Sequence, residues 1–238
     1  MRSHCARFIA GACAVVVVIA TAASTVQAQG DKDLYPAMAA RTMYMMADRD
    51  AEVALARSAA PRSISDSADV MVLGPEGYVG AVKGTNGFLC IVERSWGAGT
   101  DDPEFWNPKI RSPICFNPSA RKSVVPIYLQ KTRLALAGKS KSGIAGAVAA
   151  SLDRKEVPNL ESGAMCYMMS KHQYLSDRGK SWHPHLMFFV GGDASSSWGA
   201  DLPGSPIMAA NDPEERMTIM MVWVGHWSDG TPAPSMDH

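Results

Sequence analysis

The sequence predicts a single α+β domain. Its sheet is mostly antiparallel, an N-terminal three-stranded meander plus C-terminal strands, flanked by about three helices. Three observations predict this. Short β-rich runs fall in two blocks, one over residues 70–94 and one after residue 163, with helix-forming sequence before and between them. No βαβ alternation of the kind that builds a parallel sheet occurs. Residues 29–227 are long enough, and apolar enough, to bury one sizeable core.

Residues 1–28 read as a secretory signal peptide. Arg2 and Arg7 form a basic start, residues 8–23 are an almost unbroken apolar run, and Val26-Gln27-Ala28 is a small-x-small cleavage signal. The run is short for a spanning helix, which takes about 20 residues. The expected location is therefore the periplasm or the extracellular medium, with no membrane attachment after cleavage near Ala28. The chain carries 23 basic and 23 acidic residues, so its formal net charge is zero. That balance offers no electrostatic footprint for nucleic acid or an anionic lipid surface.

Residues 33–60 read as one helix, rich in Ala, Met, Leu and Arg, with Pro36 in its first turn and Pro61 as its stop. Residues 70–73, 78–83 and 87–94 are the strands of the expected meander, separated by Gly74-Pro75-Glu76-Gly77 and Gly84-Thr85-Asn86-Gly87. Residues 97–118 read as a loop, because Pro103, Pro108, Pro113 and Pro118 should break any ladder. Trp96, Phe105, Trp106 and Phe116 should pin that loop to the core. Over 119–137 Pro126 predicts a break near Val125, then a helix ending at Gly138. Ser140 or Ser142 should cap a further helix reaching about Glu156, with Ile144, Val148, Ser151, Leu152 and Lys155 on one stripe. Residues 163–174, 185–190 and 217–227 read as strands, 191–206 as a Gly/Ser/Pro-rich loop, and 228–238 as a flexible tail.

Cys5 and Cys13 leave with the leader. Of Cys90, Cys115 and Cys166, the first two are the expected disulfide in an oxidising compartment, and Cys166 a buried thiol. The closed loop predicts a stabilisation of about 3 kcal/mol.

Two features point to a function. The chain has 15 methionines, many in runs such as Met165, Met168-Met169 and Met217, Met220-Met221. Thioethers are adaptable core filler, and also soft ligands suited to Cu(I). They predict an exported binding or accessory module with an apolar Met/aromatic-lined core or pocket, whose partner is a small apolar ligand or another protein. The second feature is histidine. His183-Pro184-His185 opens a strand and His226 ends another. Two imidazoles on one face, joined by a third, would make a three-nitrogen site for a transition metal, Zn or Cu foremost, in a metal-binding protein or a metal-dependent hydrolase. A metal-free hydrolase would instead pair a histidine base with Ser170 or one of Ser195, Ser196 and Ser197. Glu93, Arg94, Trp96, Trp182 and Trp198 are placed to line one cleft at the loop end of the sheet.

Overall fold

The structure, a computed structural model, describes residues 34–234; the signal-peptide reading of residues 1–28 falls outside them. They form an α+β domain with one mixed sheet of eight strands and five helices. The strands are β1 (Asp69–Gly74), β2 (Gly77–Val82), β3 (Leu89–Glu93), β4 (Ser112–Phe116), β5 (Met165–Met168), β6 (His185–Gly191), β7 (Ile207–Asp212) and β8 (Met217–Trp223). The helices are α1 (Arg49–Arg57), α2 (Arg62–Ser65), α3 (Pro118–Ser123), α4 (Val125–Leu136) and α5 (Lys141–Asp153). The spatial order of the sheet is β2-β1-β3-β4-β5-β6-β8-β7. No helix among the described residues is long and apolar enough to cross a membrane.

Three local readings are corrected. The single helix over 33–60 is instead a short 3-10 turn (Arg41–Tyr44) followed by α1. In a continuous helix the Tyr44 carbonyl would take the Asp48 N–H. Here it accepts from Arg94 Nε at 2.7 Å. Asp48 turns its carboxylate to the N–H groups of Asp50 and Ala51, at 2.8 and 3.2 Å, and caps α1. Tyr44 is fully buried, its ring 4.8 Å from that of Trp96 and its hydroxyl donating to the Trp106 carbonyl. Tertiary burial of one tyrosine overrides helix propensity.

The meander is also corrected. β1 and β2 form the expected hairpin, but β3 pairs with β1 in parallel, leaving β2 at the edge. Finally, the proline-rich stretch 97–118 contains a strand, β4, at the centre of the sheet. Pro113 is tolerated because of its parity. Arg111, two residues earlier, donates its N–H away from β3, to the Tyr174 carbonyl. The missing donor of Pro113 points the same way, and the pairing of β4 with β5 involves only Cys115 and Phe116.

The break at Pro126 and the caps of the next helices follow the sequence. α3 ends at Ser123, α4 begins at Val125, Gly138 has φ +75°, and Ser140 Oγ accepts from Gly143 N to cap α5. Ile144, Val148 and Ser151 are buried as a stripe. The sheet is covered on both sides. Ile91, Ile114, Phe116, Cys166 and Phe189 pack with Val125, Ile127 and Tyr128 of α4. On the other side Cys90, Val92 and Cys115 pack with Ala56, Ala59 and Ala60. Cys90 and Cys115, directly opposite on β3 and β4, are joined by a disulfide, and Cys166 is a buried free thiol. Beyond β8 the chain stays tied to the domain: Ser228 donates its N–H to the Met169 carbonyl and its hydroxyl to the Ser58 carbonyl, and Ala233 N donates to the Gly225 carbonyl.

Candidate binding cavity at the loop end of the sheet

Strands β3, β5 and β8 run the same way, because each pair is separated by one antiparallel neighbour. Their C-terminal ends, with the start of β6, therefore share one edge. The loops that leave β3 and β5 rise from that edge and border an open cavity of about 630 Å³. The size is that of a small-molecule site. Its floor is Met168 of β5, His185 and Met187 of β6, and Met221 of β8. One loop contributes Asp102, Pro103 and Glu104; the other contributes Leu175, Arg178 and Trp182.

The two loops are clasped to each other, so the mouth is preformed. Glu104, itself buried, accepts from Ser176 Oγ at 2.6 Å and from the Asp177 N–H at 2.9 Å. Asp177 in turn takes Lys109 Nζ at 3.0 Å and the hydroxyls of Tyr174 and Tyr35. These donors hold its carboxyl well below the usual range. Arg111 and Tyr174 exchange both backbone hydrogen bonds, and Gln173 Nε2 donates to the Trp182 carbonyl. Burial raises the Asp102 carboxyl, and the neighbouring charges of Glu104 and Asp101 add to the rise.

His185 is 2% exposed. Its Nδ1 lies 2.8 Å from the His183 carbonyl. A carbonyl only accepts, so Nδ1 carries the proton and Nε2 keeps the lone pair. Burial pulls the imidazole below its ordinary pKa, which favours the neutral form. Two indoles flank it, with ring centroids 5.3 Å (Trp223) and 6.1 Å (Trp182) away.

The structure brings His183 and His185 to one indole, Trp223, and not into one donor set; His183 is represented at His185 by its carbonyl. β8 stops at Trp223, so His226 lies beyond the strand, exposed, on a turn paired with Pro232. Among the described residues, no three His, Cys, Asp or Glu side chains come together as a metal-holding group. Ser170 is buried against Ser58 Oγ at 2.6 Å rather than against an imidazole, and Ser197 donates to the Ala194 carbonyl.

The cleft read from Glu93, Arg94, Trp96, Trp182 and Trp198 is corrected. Only Trp182 of the five lines the cavity. Trp96 is buried and donates to Thr132 Oγ1 at 3.0 Å. Trp198 packs on Phe188, whose side chain leaves β6 opposite to that of Met187. Glu93 faces α4, close enough to Gly97 that a Cβ there would lie 2.1 Å from its carboxyl carbon. Its Oε1 is buried without a hydrogen bond, and burial pushes its pKa up to about 8.

The methionine runs are divided by the pleat. Met168 and Met221 face the cavity, whereas Met220 packs on the other side with Ala194 and Ala200. Met187 stands outside any run and was missed. The signal for it was the alternation His185-x-Met187, which puts both residues on one face of a strand. Compared with protein-family models, curated proteins and solved structures, the chain matches none, so its function rests on the site itself.

Proposed function

We propose that this is an exported binding module that takes a small ligand into the cavity at the loop end of its sheet. The observation that carries the proposal is the cavity wall. Three methionines, Leu175 and Trp182 make most of it apolar, and His185, Asp102, Glu104 and Arg178 supply its polar groups. A few polar groups set in an adaptable apolar wall are what a ligand site needs. Export is part of the proposal; its support is the leader sequence together with the Cys90–Cys115 disulfide, which an oxidising compartment maintains. N-terminal sequencing of the exported protein should begin at Gln29.

The test is titration with the apolar dye 1-anilinonaphthalene-8-sulfonate, followed by energy transfer from tryptophan. The native protein should take up dye saturably. Met187→Trp, shown to be folded by circular dichroism, should block uptake by filling the cavity. Non-saturable binding, or uptake unchanged in the folded Met187→Trp variant, would overturn the proposal.

A further inference from the structure

The chemistry of the cavity floor narrows the ligand. β5, β6 and β8 are adjacent, and their register sets Met168 opposite His185 and Met187 opposite Met221. His185 and Met187 are two apart on β6, so all four side chains leave the same face. Directly opposed residues have Cβ atoms about 4.5–5.5 Å apart, and diagonal ones about 7–8 Å, within reach of long side chains. Met187 and Met221 are opposed and His185 and Met221 diagonal, whereas Met168 and Met221 are two strands apart. All four line the one cavity. The floor is thus built from three methionine side chains and one imidazole.

The state of each donor fits a soft, singly charged ion. His185 Nε2 carries the lone pair because Nδ1 is held by the His183 carbonyl, an outer partner of the kind that orients metal-bound imidazoles. Thioethers carry no charge and are poor ligands for Zn or harder divalent ions, but they suit Cu(I). Cys166, opposite Met187, is fully buried and does not line the cavity. The described residues likewise offer no His/Cys/Asp/Glu triad for Zn.

We infer that the cavity is a Cu(I) site whose ligands are His185 Nε2 and the sulfurs of Met187 and Met221, with Met168, two strands from Met221, completing the apolar wall. The inference rests on the reading of this cavity as the binding site, and it names the ligand class. Trp182, with its ring 6.1 Å from that of His185, reports occupancy through its fluorescence.

The experiment is an anaerobic titration of the mature, disulfide-intact protein with Cu(I), using bicinchoninate as the competing chromophore. One Cu(I) per chain should be retained against the chelator, with quenching of tryptophan emission. Met187→Leu, Met221→Leu and His185→Gln should each weaken binding by roughly tenfold or more, whereas Met43→Leu and His226→Ala should leave it unchanged. The leucine variants conserve volume, and dye uptake serves as their check on folding and cavity. If Cu(I) is not retained while the dye still binds and Met187→Trp still blocks it, the Cu(I) assignment falls and the binding reading stands. If neither ligand binds, both fall. Cu(I) binding that survives both leucine substitutions places the ion elsewhere and also overturns the inference.

Discussion

Glu93 and Arg94 are consecutive, and the end of β3 sends them to opposite sides of the sheet. Arg94 goes toward α1. There its guanidinium meets Glu52 Oε1 at 2.9 Å, the Tyr44 carbonyl and the Val92 carbonyl, with both charged side chains almost fully buried. Glu52 also accepts the Leu73 N–H, which ties α1 to β1. Glu93 goes toward α4. There Lys131 spends its three donors on Glu215 at 2.6 Å and on the carbonyls of Gly97 and Ala98, and Glu93 Oε1 has no partner. Arg94 Nε, Nη1 and Nη2 each have an acceptor, although Arg57 Nε at the end of α1 is buried without one. The α1 side also holds the disulfide and three small alanines. The α4 side holds the flexible methionines, an unsatisfied carboxyl and the cavity. One sheet thus has a locked side and an adaptable side, and the proposed binding cavity lies on the adaptable one.

Breaking the lock should have the largest effect. Arg94→Met leaves Glu52 buried without its cation, which should cost about 3–5 kcal/mol. Urea unfolding followed by circular dichroism measures it. The double variant Glu52→Leu/Arg94→Met should recover much of the loss, because it removes both buried charges. If the single variant unfolds like the native protein, the Arg94 cluster is not the lock.

The disulfide comes next. Its cysteines are 25 residues apart, so its removal by Cys90→Ala/Cys115→Ala should cost about 3–4 kcal/mol in the loop-entropy limit. The comparison sharpens if the dye still enters the cavity of the folded double variant, since the bridge lies on the other side of the sheet. Loss of dye uptake in a folded protein would show that the two sides are coupled.

The sequence made these sides only partly legible. The Cys90–Cys115 pair and the caps at Gly138 and Ser140 depend on local chemistry, and local chemistry can be read. Strand β7 lies just beyond the Gly/Ser/Pro-rich loop 191–206, in a stretch where the sequence predicts no element. Its Ala209-Ala210-Asn211-Asp212 has little β-propensity, and it is a strand because it pairs with β8 along its whole length. β4 was hidden by Pro113, whose acceptability depends on which neighbour its nitrogen faces. The cavity was least legible. Met168, Met187 and Met221 lie on three strands, and only register, a long-range property, makes them neighbours.

The unsatisfied carboxyl gives a pH signature. Glu93 titrates near pH 8 in the folded protein, against 4.5 for an ordinary glutamate, because burial penalises its charge. Between these values the folded state holds a proton that the unfolded chain has lost. The stabilising protonation is fully present below pH 4.5 and is lost as pH rises through 8, with a slope of at most about 1.4 kcal/mol per pH unit for one proton. Glu93→Gln mimics the protonated acid and should flatten urea midpoints over that window. Glu215, also raised by burial, should leave a smaller residual slope. A slope unchanged in Glu93→Gln would assign the proton to another group.

The smallest expected effect separates packing on the two sides. Met221→Leu conserves volume beside an open cavity and should cost under about 1.5 kcal/mol. Ala56→Leu, at a fully buried alanine facing Cys90 and Cys115, adds volume where nothing yields, and should cost about 1–3 kcal/mol or more. Thermal unfolding of the pair gives the ranking directly. Equal losses would mean that the methionine side is packed as tightly as the alanine side. The methionines would then be core filler, and their thioethers would have no freedom to close on a ligand.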